Sequence, residues 1–176
     1  AIEIGVFKGQ TISLWSMLNH AYRLNGHIVG ITPLNSTGDA FSKHPEIDYE
    51  ESIGTIYAAF GLDASDLTIL NGLSTDPDII DEVRTTFDAD LLYIDGGHDY
   101  PVVRSDLENY CPLVKPGGLI VIDDASNDLD IPDGLIRMNW RGIEDVTKAT
   151  KEYFTHNPDY RLEFAVGHNK IYRKTL

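Results

Sequence analysis

The chain has a single cysteine, Cys111, among its 176 residues. One thiol cannot close an internal bridge, and without a C-x-x-C pair there is neither a disulfide scaffold nor a zinc or redox motif of that kind. Cationic residues are scarce: 14 Lys and Arg stand against 28 Asp and Glu, a net charge of −14. Such a surface has little with which to neutralise a phosphate backbone, so nucleic acid is not an expected partner. No apolar run approaches the roughly 18 residues that a membrane-spanning helix needs, and the first residues lack the charged and apolar regions of a secretory signal. No membrane association is expected, and the expected location is cytoplasmic. Also missing are a nucleophile elbow and any Ser-His-Asp order, which leaves hydrolase chemistry without support. The chain opens on Ala1-Ile2-Glu3-Ile4-Gly5, already strand-like, so a natural N-terminal segment is expected to precede it. The remainder, 42% hydrophobic and 24% charged, has the composition of one globular domain with a core large enough to need no staples.

Short apolar runs alternate with stretches of helical periodicity almost to the C-terminus. Strands are expected at about Ile2–Val6, His27–Thr32, Leu67–Asn71, Asp90–Asp95 and Leu119–Asp123. Between them, Leu14, Trp15, Leu18, Ala21 and Tyr22 mark one helical face, and Ile53, Ile56, Tyr57 and Phe60 a second. Further faces follow from Ile79, Ile80, Val83 and Phe87, from Val103, Leu107, Tyr110 and Val114, and from Ile143, Val146, Thr150 and Tyr153. Near-continuous apolar strands joined by amphipathic helices require a parallel sheet covered on both faces, a doubly wound, Rossmann-like α/β fold. The tail, Tyr160–Val166 and Ile171–Arg173 around Gly167-His168-Asn169-Lys170, reads as an antiparallel hairpin closing the sheet. Two long connections, Pro33–Asp48 and Ser126–Arg141, both follow strands and so lie at the carboxyl edge, where open α/β sheets bind ligands.

The first strand runs through Gly5 to Gly9 into a helix. Glycines there let a ligand approach the backbone, and the helix start offers unpaired N–H donors, which makes the turn a cofactor-binding candidate. Its G-x-x-x-G spacing differs from the dinucleotide fingerprint. At the same edge Asp95 closes the fourth strand and Asp123-Asp124 the fifth. Parallel neighbours about 4.8 Å apart bring three carboxylates together. Their repulsion is relieved by a divalent ion, and an all-oxygen set suits Mg²⁺, Mn²⁺ or Ca²⁺ better than zinc. Capping of the following turns is the alternative use of such aspartates. His98 leaves the strand three residues after Asp95, and an imidazole can take the proton that an attacking hydroxyl must lose.

Four blocks, Glu3 to Gly9 with Thr11, Gly72-Leu73-Ser74-Thr75-Asp76, Tyr93-Ile94-Asp95-Gly96-Gly97-His98-Asp99-Tyr100, and Lys115-Pro116-Gly117-Gly118 leading into Ile120-Val121-Ile122-Asp123-Asp124, resemble the class I S-adenosylmethionine-dependent methyltransferases. The likeness is greatest to small-molecule O-methyltransferases of the sugar and catechol type. The resemblance implies that Glu3, Gly5, Phe7, Gly9 and Thr11 surround the methionine part of S-adenosylmethionine, and that Gly72, Leu73 and Ser74 edge its adenine. It further implies that Asp95 serves both the cofactor site and catalysis. Asp95, Asp123 and Asp124 would bind Mg²⁺, which takes adjacent hydroxyls of a small-molecule acceptor, with His98 as the base. One position departs from the family pattern. The second strand ends in Thr32 instead of an acid, and a hydroxyl offers less to two ribose hydroxyls than a carboxylate does; Asn35 or Ser36 are alternative ribose partners.

Two competing readings use the same sheet, an NAD(P)-dependent oxidoreductase and a catalytically silent module that binds cofactor or a protein. His20, His27, His156 and His168 have no nearby acids in a matching pattern and are expected at the surface; His44, in the first long loop, is either a solvated loop residue, the favoured reading, or one that reaches a substrate. Met138, Trp140 and Arg141 form either a wall over an acceptor or a small satellite core. Cys111 reads as inert packing. A homodimer is the base-rate expectation for assembly.

Overall fold

The structure is a computed structural model, and it describes residues 1–129 and 140–176. Met138 lies outside the described residues. Seven strands form one sheet: β1 (Ile2–Ile4), β2 (Ile28–Thr32), β3 (Leu67–Asn71), β4 (Ala89–Ile94), β5 (Val114–Ile122), β6 (Tyr160–Val166) and β7 (Asn169–Lys174), in the order β3-β2-β1-β4-β5-β7-β6. The first five are parallel, and β7 runs antiparallel between β5 and β6. The doubly wound architecture and the closing hairpin are thus as the sequence pattern requires. The five helices are α1 (Gln10–Tyr22), α2 (Tyr49–Ala59), α3 (Pro77–Thr86), α4 (Tyr100–Tyr110) and α5 (Glu144–Thr155).

Two apolar clusters fill the layers. Ile12 of α1 with Ile53 and Tyr57 of α2 pack around Val6 and Ile28. On the other face Val83, Val103, Leu107, Val146 and Tyr153 of α3, α4 and α5 cover Ile2, Ile4, Val29, Leu92 and Ile120. Cys111 is fully buried within this larger cluster, and burial pushes its thiol well above the usual range; it is packing.

The expected face of α1 is wrong. Leu14, Leu18 and Tyr22 are exposed, Tyr22 at 72%, while Ile12, Ser13, Ser16 and Asn19 are buried. Small polar side chains on the inner stripe let α1 approach α2 closely, where Ser16 and the Tyr57 hydroxyl share a hydrogen bond of 2.6 Å. Phe60, expected on the inner face of α2, is also exposed. Strand ends shift for local reasons: β1 stops at Ile4 because Gly5 turns with φ +91°, and β5 starts early, at Val114.

Register positions the site. Ile4 pairs with Ile31 and Ile94, and Ile94 with Ile122, so β1, β2, β4 and β5 end at one level. The ladder continues one residue further on each side of β1: Gly5 N–H donates to Ile31 O at 3.0 Å, Asp95 N–H to Ile4 O at 2.9 Å and Asp123 N–H to Ile94 O at 3.0 Å. Regular pairing therefore fixes the backbones of Gly5, Asp95 and Asp123 side by side.

Candidate active site

At this edge the turn after β1 and the loop after β2 enclose a cavity of about 170 Å³, lined among others by Gly5, Phe7, Thr32, Asn35, Leu73 and Asp95. Any side chain at Gly5 is disfavoured on two counts. A Cβ there would stand 1.9 Å from the Asp95 carbonyl oxygen, and its positive φ is strained for any L side chain. Gly9, at φ +94°, caps α1 with no side chain and leaves that helix start open. Phe7 meets the His44 and Tyr49 rings at a tilt, with ring centroids at 5.0 and 5.8 Å, and His44 is itself a lining residue. The Thr32 hydroxyl accepts from Leu34 N–H at 3.4 Å; Asn35 shares the cavity with it and Ser36 is not among the lining residues. Past β3, the Gly72 backbone N–H bonds Thr32 O at 3.1 Å, Leu73 lies exposed at the cavity rim, and Ser74 is buried, its carbonyl held by the Tyr110 hydroxyl at 2.7 Å.

Glu3, only 3% exposed on β1, has its pKa pushed up to about 8 by burial, partly offset by the Trp15 indole. The acids of the strand ends behave alike. Burial, the charge of Asp123 and a hydrogen bond with it raise Asp95 far above the carboxylate range. Burial also raises Asp123, against the pull of His168. Both shifts are upward, so the pair holds a proton more firmly than a free carboxyl does, as buried like charges do. Asp124 adopts φ +53°, a conformation that Asp tolerates better than most residues. Its Oδ1 accepts the Trp140 indole N–H at 2.6 Å, and its carbonyl accepts Ile143 N–H at 2.8 Å. Trp140 therefore braces an acid of the site. Arg141 reaches the Leu129 carbonyl at 3.4 Å.

Four contacts made by two histidines were not anticipated from the sequence. His168, expected at the surface, brings Nε2 to 3.1 Å from Asp123 Oδ1 and 4.0 Å from Asp124 Oδ1, because the β6–β7 turn folds back over the end of β5. Asp123, Asp124 and His168 each offer a ligand atom within 4.8 Å of the others. His98 is not a solvated loop residue: it is buried, and its Nδ1 lies 2.6 Å from Asp39 Oδ2. Its Nε2 points toward Asp124, 3.7 Å from Oδ2. Asp39 itself comes from the first long loop, in which the sequence pattern assigns it no role. Burial raises the Asp39 pKa, but bonds from the His98 ring and backbone and from Ser42 and Phe41 outweigh it and hold the carboxyl at about 2.

Comparison with known proteins bears on the fold and the family. An uncharacterized protein of Acanthamoeba polyphaga mimivirus is 32% identical over 124 residues, 70% of this chain and 50% of that protein; the chain spans half the length of this curated relative. Among solved structures, the O-methyltransferase NovP superposes with a TM-score of 0.75 at 16% identity, over 99% of this chain and 71% of that one. The O-methyltransferase TomG from Streptomyces achromogenes, solved with S-adenosylmethionine, gives 0.61 at 20% identity over 99% and 72%. The MycE methyltransferase, solved with Mg, S-adenosylhomocysteine and mycinamycin VI, gives 0.58 at 16% over 99% and 44%. These likenesses establish a shared fold. The family described as "Methyltransferase domain" matches residues 2–125, and the chain belongs to it.

Proposed function

We propose that this chain is an O-methyltransferase that moves the sulfonium methyl of S-adenosylmethionine to a hydroxyl of a small polyhydroxylated acceptor, assisted by a divalent cation. The observation that carries the reading is the convergence of Asp95, Asp123, Asp124 and His98 at one sheet edge, with Asp95 also lining the cavity beside the Gly5 turn. The residues fit a cation. Asp95 and Asp123 repel unless a proton or a metal lies between them, and Asp123 Oδ1 is buried without a well-formed hydrogen bond, with the His168 Nε2 3.1 Å away. Asp95, Asp123 and Asp124 would hold the ion, with the His168 imidazole within reach. When bound, the ion supplies a Lewis acid that lowers the pKa of an acceptor hydroxyl. Mg and S-adenosylhomocysteine in the MycE structure are consistent with this assignment.

The chain's own groups do the rest. His98 Nε2, directed at the acid edge, receives the hydroxyl proton. The cavity wall from Gly5 to Phe7, with Leu73 at its rim, would be covered further by bound cofactor and acceptor, and because charges cancel in the reaction a drier site does not penalise it. Holding nucleophile and methyl at near-attack distance is worth roughly 7–11 kcal/mol. A homodimer belongs to the same reading, as the commonest assembly of such domains.

Titration calorimetry with S-adenosylhomocysteine, with and without Mg²⁺, followed by a panel of sugar and catechol acceptors, tests the proposal. Cofactor binding plus chelator-sensitive methylation is expected. No cofactor binding under any metal condition refutes the whole reading; turnover indifferent to chelation removes the metal alone; binding without turnover of any acceptor favours a silent module.

A further inference from the structure

Asp39 Oδ2 accepts two hydrogen bonds from one residue, His98 N–H at 2.9 Å and His98 Nδ1 at 2.6 Å. An ionised carboxylate only accepts, so the ring nitrogen facing it carries the proton. In the neutral ring Nε2 is then the lone-pair nitrogen, and it faces Asp124 Oδ2 across 3.7 Å, too far for a hydrogen bond to fill it. The carboxylate is itself held: Asp39 Oδ1 accepts the backbone N–H groups of Phe41 and Ser42, each at 2.8 Å, and Asp39 N–H donates to Ser42 O at 3.1 Å. The Phe41 ring meets the His98 ring edge-on at 6.1 Å. This closed turn is also cavity wall, since Gly38, Asp39 and Ser42 line it. Gly38 permits it, because a Cβ there would lie 2.0 Å from Ser42 O.

We propose that Asp39 is a positioning residue that holds His98 with Nδ1 protonated and Nε2 free to take the acceptor's proton. The partner that sets the base is thereby carried on the loop that encloses the cofactor cavity. The catalytic meaning rests on the reading of His98 as the base; the tautomer assignment does not. An arrangement in which a buried carboxylate fixes an imidazole tautomer recurs wherever a histidine must accept a proton through its far nitrogen.

The test reads the ring directly. The full chain, labelled with ¹⁵N, is measured by long-range proton–nitrogen correlation at alkaline pH in the presence of a chelator, with the His98 signals assigned by their loss in His98→Gln. A protonated Nδ1 and a pyridine-like Nε2 are expected. In Asp39→Ala the proton should move to Nε2, the tautomer that free histidine favours, and Asp39→Asn, a weaker neutral acceptor, should give a mixture. A wild-type ring protonated at Nε2, or an unchanged pattern in Asp39→Ala, overturns the proposal. If Asp39→Ala does not fold, an undiminished Nδ1–H pattern in Asp39→Asn overturns it instead. A wild-type near-ultraviolet circular dichroism spectrum in the Asp39 variants shows that the tautomer change is not a collapsed fold, and titration of the wild type with S-adenosylhomocysteine separates the two claims. Absent binding in wild type sinks the methyltransferase reading while the tautomer result stands.

Discussion

The shared proton between Asp95 and Asp123 makes the site a cost to the fold, and Asp95→Asn should expose that cost. In the native state burial, the charge of Asp123 and the bond between the two raise the Asp95 pKa; unfolded, both titrate near 3.9. The folded state therefore binds the extra proton, and stability falls as pH rises wherever that holds. The contribution is fully present below about pH 4 and is eroded by up to about 1.4 kcal/mol per pH unit above it, through neutrality, until the native pair ionises. An asparagine amide is nearly isosteric, donates to the Asp123 carboxylate as the protonated acid does, and has no proton to lose. Urea unfolding in chelator, at intervals from pH 5 to about 8, should give a wild type that weakens with pH and a variant whose curve is flatter by up to that slope. The variant should be the more stable of the two at neutral pH while losing methyl transfer. Parallel curves would refute the shared-proton argument, because no other change distinguishes the two side chains.

The other perturbations divide steric, chemical and electrostatic roles. Gly5→Ala should destabilise by about 2–5 kcal/mol, the sum of about 1–2 for a left-handed φ and about 1–3 for overpacking. Gly117→Ala, at φ +85° with nothing within 4 Å of its Cβ, should cost only the first part, and equal denaturation midpoints for the two would disprove the close approach to Asp95. His98→Gln should lower turnover by about 10²–10⁴-fold while S-adenosylhomocysteine still binds by calorimetry; a loss of both would make His98 a cavity support and not a base. Asp123→Asn should abolish the heat of Mn²⁺ binding and remove the rise in melting temperature that the ion gives the wild type by mass action. An unchanged Mn²⁺ isotherm would place the cation elsewhere.

How much of this was legible in the sequence follows from the range of each interaction. Strand ends and helix order were readable because they are local: apolar runs, Gly5 and the Asp95 and Asp123 terminators act within a few residues, and parallel pairing then aligns them. The inner face of α1 was misread because two stripes compete on it. The apolar one, with Leu14, Leu18 and Tyr22, looks like a core face, yet the stripe with Ser13 and Ser16 is buried since small residues allow the closer approach to Tyr57. Asp39 was invisible for another reason. It lies 59 residues before His98, in a polar loop where an aspartate has no periodic or motif signal, and only the path of that loop over the sheet edge makes it a partner. The one usable hint was compositional, a Gly38-Asp39 turn inside a long connection after a strand.

His168 shows what the same reasoning can and cannot do with an isolated histidine. The hairpin that carries it was expected, and β7 was expected to close the sheet; pairing of Ile171 with Val121 and of Lys170 with Ile122 then leaves the β6–β7 turn no place except above the end of β5. An antiparallel strand beside β5 necessarily returns its preceding turn to the carboxyl edge, because antiparallel neighbours place the start of one beside the end of the other. The Ala125 N–H bond to His168 O, at 2.8 Å, fixes that return. A residue in the turn before an antiparallel partner strand should therefore be counted with the strand-end acids from the outset. On that rule His168 joins Asp123 and Asp124 by topology, and an imidazole beside two carboxylates would offer any cation held there a mixed nitrogen and oxygen donor set in place of an all-oxygen one.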